Sequence, residues 1–181
     1  MQTEIIIAGF GGQGVLFGGQ VVAYAAMDAG KEVTWIPSYG PEMRGGTANC
    51  TVVIADEEIG SPMVEHPPLA VALNLPSFDK YEDELQKGGT LIVNKSMVDR
   101  PARRQDIHVI FVPCNEIAEE IGDKKLLNMV AVGALLTALP VLTMADMQKA
   151  LEGHMPARHK ELLPKNLEAL KRGFAAAQSA N

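Results

Sequence analysis

Glycines 9, 11 and 14 form a G-x-G-x-x-G pattern in Gly9-Phe10-Gly11-Gly12-Gln13-Gly14, directly after the β-branched run Ile5-Ile6-Ile7. This order reads as a buried strand, a tight turn and the start of a helix over residues 15–29. Such a junction points free backbone N–H groups and the positive end of a helix dipole at whatever lies before it, which suits an anion, most often a phosphate. Glycine allows φ > 0 and lets a ligand or a second backbone approach with no Cβ in between. Gly9, Gly11, Gly12, Gln13 and Gly14 are therefore the first candidate binding residues. An NAD-type site also needs an acid at the end of the next strand. That strand reads Glu32-Val33-Thr34-Trp35-Ile36 and exits into Pro37-Ser38-Tyr39-Gly40 without a carboxylate, so the dinucleotide reading is disfavoured. A turn that serves only close strand–helix packing stands beside the ligand reading.

The second stretch that could do chemistry is Ser38-Tyr39-Gly40-Pro41-Glu42-Met43-Arg44-Gly45-Gly46-Thr47. Its contents exceed what a turn requires. An arginine beside glycines can present its planar fork to a carboxylate or phosphate, and Glu42 is placed to hold it or to bind across an interface. Ser38, Tyr39, Glu42, Arg44 and Gly45 complete the candidate set, against the plain alternative of a solvated loop. No nucleophile–base pair is legible. His66, His108, His154 and His159 lack the spacing of metal ligands, and no metal site or catalytic residue is expected. Cys50 and Cys114 lie in or beside apolar runs and read as buried free thiols; two cysteines alone cannot hold an iron–sulfur cluster.

The elements that position these groups follow from the pattern. Gly18 and Gly19 inside the first helix suggest a surface where another backbone comes close, and Gly30 stops that helix. Residues 49–55 form a third strand, and residues 56–62 an acidic turn that could be a hairpin into a short edge strand. Leu69 to Leu73 reads as a central parallel strand ending at Asn74. A helix from Pro76 or Ser77 runs to about Lys87, with Gly88-Gly89 as its stop. Residues 90–94 and 107–113 are further strands, separated by a charged excursion, with His108 at an edge or on a sheet face. Asn115 reads as the N-cap of a helix over 116–121 ended by Gly122, and 126–139 is apolar almost all round. Thr143-Met144-Ala145-Asp146 resembles a capping box. Leu163, Leu167, Leu170 and Phe174 make one stripe on a last helix with Pro164 in its first turn. Strands alternating with helices specify an α/β fold, a Rossmann-like three-layer sandwich with a mostly parallel sheet and a helical C-terminal third. The crevice rule then gathers residues 9–14, 38–47 and the exit at Asn74 on one edge of the sheet.

The 181 residues fit a single domain, with 47% apolar content for one core. A net charge of −6 with 16 basic residues argues against nucleic acid or an acidic membrane surface as partner. A strand at the very start leaves no room for a signal peptide, and a cytoplasmic location is expected. The apolar region 126–144 is interrupted by Asn128, Thr137, Pro140 and Thr143 and reads as a buried or interface helix.

Ile7-Ala-Gly-Phe-Gly-Gly-Gln-Gly-Val15, the loop 38–47 and Asn128-Met-Val-Ala-Val-Gly-Ala134 together resemble the gamma subunit of 2-oxoacid:ferredoxin oxidoreductases over essentially the whole chain. The chain looks most like the 2-oxoglutarate enzyme's subunit; the pyruvate and branched-chain enzymes and the beta subunit of indolepyruvate oxidoreductase stand close behind. The resemblance implies CoA-dependent oxidative decarboxylation of a 2-oxoacid to acyl-CoA, carbon dioxide and reduced ferredoxin. It implies alpha, beta and delta companion subunits, with thiamine diphosphate in the beta subunit, 4Fe-4S clusters outside this chain, and a ferredoxin-like delta subunit. Two other readings compete: a stand-alone nucleotide- or flavin-binding enzyme, and a purely structural subunit.

Overall fold

The computed structural model describes residues 1–39 and 47–180, with Tyr39 described by its backbone. Six strands form one sheet in the order β2-β3-β1-β4-β5-β6. They are β1 (Gln2–Phe10), β2 (Glu32–Tyr39), β3 (Thr47–Ala55), β4 (Leu69–Ala72), β5 (Thr90–Asn94) and β6 (His108–Val112). β1, β4, β5 and β6 pair in parallel, whereas β3 is antiparallel to both β1 and β2, so the sheet is mixed. β2 ends at Tyr39 and β3 begins at Thr47, and a connection that short suits an antiparallel return, since a parallel crossover takes a dozen or more residues. Residues 56–68 form no hairpin; they run irregularly from β3 across to β4.

The helices are α1 (Val15–Asp28), α2 (Leu75–Glu84), α3 (Cys114–Ile121), α4 (Leu127–Leu135), α5 (Met144–His154) and α6 (Leu163–Ser179). Alternate residues of β1 face opposite layers. Ile5 and Ile7 join α1, α3, α4, α5 and α6 in the larger cluster, while Ile6 and Ala8 join Phe78, Tyr81 and Leu85 of α2 in the smaller. Among the described residues no helix is long and apolar enough to cross a membrane.

Several helix ends follow the sequence and some do not. Gly30 (φ 76°) and Gly122 (φ 94°) terminate helices in the left-handed region as expected. α2 stops at Glu84, short of the glycine pair, and α3 starts two residues earlier than expected, after Pro113, so Asn115 lies inside it. The side chain of Asn115 is drawn instead into a hydrogen bond from Asn94 Nδ2 at 2.9 Å. Thr143 and Asp146 form the reciprocal capping box of α5, Asp146 N–H donating to Thr143 Oγ1 at 3.2 Å and Thr143 N–H to Asp146 Oδ2 at 2.8 Å. Thr143→Ala is expected to lower stability by about 1 kcal/mol, read as an earlier urea midpoint with an unchanged slope.

Gly18 and Gly19 sit under side chains, not under another backbone. A Cβ on Gly19 would stand 2.3 Å from Cys50 Sγ and 3.0 Å from Trp35 Nε1, and one on Gly18 would stand 3.2 Å from Val132 Cγ2. Both cysteines are buried and free, and burial pushes the Cys50 thiol up to about 12. The last helix differs most from its leucine stripe. Asn166, Ala169, Leu170, Gly173 and Ala177 are its buried residues, with Leu163, Leu167 and Phe174 half-buried beside them.

Candidate functional site at the switch point

β1 feeds α1 on the larger face of the sheet, and its neighbour β4 feeds α2 on the opposite face. Chains leaving adjacent parallel strands in opposite directions open a crevice at the carboxyl ends of those strands. The register places the candidate segments together there: Phe10 pairs with Thr47, Tyr39 with Ala48 and Ala8 with Ala72. The edge expected from sequence therefore exists. Gly9, Gly11, Gly12, Gln13, Gly14, Ser38 and the Tyr39 backbone all lie on it, while Glu42, Arg44 and Gly45 fall outside the described residues.

The turn is a fixed structure. Gly12 (φ 93°) and Gly14 (φ 74°) are left-handed, and Gly14 is the N-cap of α1 with no side chain capping it and no acid in the first turn. A Cβ on Gly9 would lie 3.0 Å from Leu73 Cβ and 3.1 Å from Val15 Cγ2, so this glycine serves strand–helix packing. Gln13, a candidate ligand contact by sequence, is a clasp. Its Oε1 accepts from Phe10 N–H at 2.6 Å and its Nε2 donates to the Leu73 carbonyl at 3.2 Å, tying the turn to the exit of β4. Asn94 Nδ2 reaches the same carbonyl at 3.3 Å from the end of β5, and its Oδ1 accepts from Cys114 N–H at 3.2 Å. Asn128 Nδ2 holds the Gly14 carbonyl at 3.0 Å. Three carboxamides thus fix the three strand exits relative to one another, and the orphan N–H groups of α1 remain for a ligand.

One residue was named in the sequence only as an exit. Asn74, fully buried, caps α2 by accepting from Ser77 N–H at 2.9 Å through Oδ1. Its Nδ2 is sealed from solvent and has no hydrogen-bond partner among the described residues. A buried donor left unpaired costs about 1–3 kcal/mol, and such groups call for a functional account. Asn74 follows Leu73, whose side chain packs against Gly9 at the switch point, and an acceptor is what its amide lacks. Nothing in the local sequence distinguishes that role from ordinary helix capping. Among the described residues no three His, Cys, Asp or Glu side chains converge as metal ligands.

A mixed sheet with helices on both faces and an uncapped glycine turn at its switch point defines an α/β domain of Rossmann-like architecture. Residues 4–176 match the family model described as pyruvate ferredoxin/flavodoxin oxidoreductase, and the chain belongs to that family. The 2-oxoglutarate synthase subunit KorC of Methanocaldococcus jannaschii is 35% identical over 98% of this chain and 95% of its own length. The ketoisovalerate oxidoreductase subunit VorA of Methanothermobacter marburgensis is 40% identical over 75% of this chain, but the match takes in only 28% of the longer relative. Among solved structures, 2-oxoglutarate:ferredoxin oxidoreductase from Magnetococcus marinus, with 2-oxoglutarate, coenzyme A and succinyl-CoA bound, superimposes with a TM-score of 0.88 at 25% identity. It covers 99% of this chain and 32% of the other.

Proposed function

We propose that this chain is the gamma-type subunit of a 2-oxoacid:ferredoxin oxidoreductase, with 2-oxoglutarate as the acid, and that its switch-point crevice receives the phosphates of coenzyme A. The full-length likeness to KorC favours 2-oxoglutarate over pyruvate, branched-chain or indole acids. The unpaired Asn74 Nδ2 carries the coenzyme reading, because it is a buried donor at the exit of β4, next to the Leu73 carbonyl that Gln13 ties to the uncapped turn. Thiamine diphosphate and the iron–sulfur clusters belong to the alpha, beta and delta companions. Held there, they would supply the decarboxylation chemistry and the path by which electrons leave for ferredoxin. The part played by this chain is positional. The α1 amides and Asn74 hold negative charge, Gln13 and Asn94 keep the strand exits from parting, and the acyl group passes to a thiol whose anionic end is anchored.

The assembled enzyme carrying Asn74→Asp tests this directly. Aspartate retains the acceptor that caps α2 but sets a carboxylate where the donor stood. KM for CoA is expected to rise about tenfold or more, the worth of a lost charge-assisted hydrogen bond plus repulsion, with kcat at saturating CoA and the acid preference unchanged. Arg44→Ala, outside the described residues, is the companion variant. Unchanged CoA affinity and unchanged assembly in both variants would discard the reading, as would turnover of a 2-oxoacid by this chain without companions.

A further inference from the structure

A second cavity opens on the helical side of the glycine turn, away from the crevice between β1 and β4. It has a volume of about 320 Å³ and lies between the start of α1, the start of α4 and the segment joining α5 to α6. That size is at the lower end of the range for small-molecule sites. Its floor is apolar, built by Phe17, Leu126, Met155 and Leu162. Its polar side includes the uncapped N-terminus of α1 at Gly14, the exposed Lys125, which has no ion pair among the described residues, Asn166, and also Asn128 and His159. Asn166 is 5% exposed. Its Nδ2 donates to the Leu162 carbonyl at 2.8 Å, and its Oδ1 has no donor among the described residues. Asp123, the one acid on the wall, is turned back into its own turn, where it accepts from Lys125 N–H at 3.0 Å.

The geometry points to a binding site for a small amphipathic anion, with an apolar body on Phe17 and Leu162, a carboxylate or phosphate head between the α1 N-terminus and Lys125, and a hydrogen-bond donor reaching Asn166. Each part answers a different wall. The floor excludes water from an aromatic or branched body, the helix start and the ammonium favour negative charge, and the free Oδ1 accepts a hydroxyl or amino hydrogen. This inference shares the α1 amides, Gly12, Gly14 and Asn128 with the coenzyme reading, and departs from it in the apolar floor, Lys125 and Asn166, which that reading does not use.

Four probes separate the parts on the purified chain, by titration followed in amide spectra. They are 4-hydroxyphenylacetate, phenylacetate without the donor, tyrosol without the anion, and 4-aminophenyl phosphate with the alternative head. The first is expected to bind saturably, with phenylacetate and tyrosol each about tenfold weaker, and the better of the two charged heads identifies the class of ligand. Lys125→Glu, an exposed change that leaves the core intact, should weaken both anions about tenfold and spare tyrosol; Asn166→Leu should abolish the advantage of the hydroxyl. Tyrosol binding as tightly as the acids, or Lys125→Glu without effect, would overturn the proposal. CoA is expected to displace a bound probe, because both heads reach the α1 amides; simultaneous binding would overturn the placement of the head there, and Asn74→Asp, outside the cavity, separates the two readings by weakening CoA and sparing the probe.

Discussion

Gly173→Ala is expected to lower stability by about 3 kcal/mol or more and to leave much of the chain unfolded at moderate temperature, seen as an early, broadened loss of ellipticity. α4 and α6 cross with backbone against backbone. A Cβ on Gly173 would stand 1.9 Å from the Val130 carbonyl oxygen, and one on Gly133 would stand 2.1 Å from that of Leu170. No side-chain rotation relieves an overlap with a peptide group, so the two helices must separate and open voids between Met129, Leu135, Ala169 and Leu170, all fully buried. Gly133→Ala should behave alike, and the double variant should cost less than the sum because one separation serves both. Gly153→Ala is the control. It lies in α5 with open space where its Cβ would go, so the better helix propensity of alanine should raise stability by about 0.5–1 kcal/mol.

Glu82→Ala is expected to cost about 2–3 kcal/mol, because it leaves the backbone N–H groups of Arg103 and Arg104 without their acceptor and removes the buried carboxylate that Arg100 and Arg103 pair with. Glu82 is fully buried, and its carboxylate accepts from the backbone N–H groups of Arg103 and Arg104 and from Arg103 Nε at 3.1 Å, with Arg100 NH2 at 2.9 Å. Arg100 also lies over the Phe78 ring at 4.0 Å, so the cluster pins the segment before β6 onto α2 and closes the thinner face of the sheet. Burial alone would raise the Glu82 carboxyl; the hydrogen bonds from Arg103, Arg100 and Arg104 outweigh it and hold the group below its ordinary value. The sign follows from that depression. The stabilisation is present above the unfolded carboxylate range, about 4.3, and is lost as pH falls through the lower folded value. Urea midpoints taken from neutral pH downward should show this loss in the native chain and a shallower slope in Glu82→Gln.

The sequence disclosed the parts whose signal is local. Ile5 to Ile7 followed by glycines, the apolar run into Asn74 and the Thr143–Asp146 pair each carry their reason within a few residues. The direction of β3 was also readable, since no helix fits between Ser38 and Thr47, but the alternating βα pattern elsewhere drew attention to parallel pairing. What stayed hidden depends on residues far apart. Leu163, Leu167 and Phe174 repeat at helical spacing, yet the face that packs most closely is set by Gly133 and Gly173 acting together, and neither means anything alone. Gln13 sits in a binding motif, and only the position of the Leu73 carbonyl shows that its amide is spent on holding the turn. The unpaired Asn74 Nδ2 could not be inferred, because capping and ligand contact draw on the same side chain.

The Leu73 carbonyl, gripped by both Gln13 and Asn94, has a bearing on how this region can change through descent. A main-chain oxygen has no codon of its own, so its position is inherited only through the side chains that reach for it. Drift at position 13 or 94 is therefore free only as a matched pair, and a lineage that loses one amide must first find another way to hold two neighbouring strands in step.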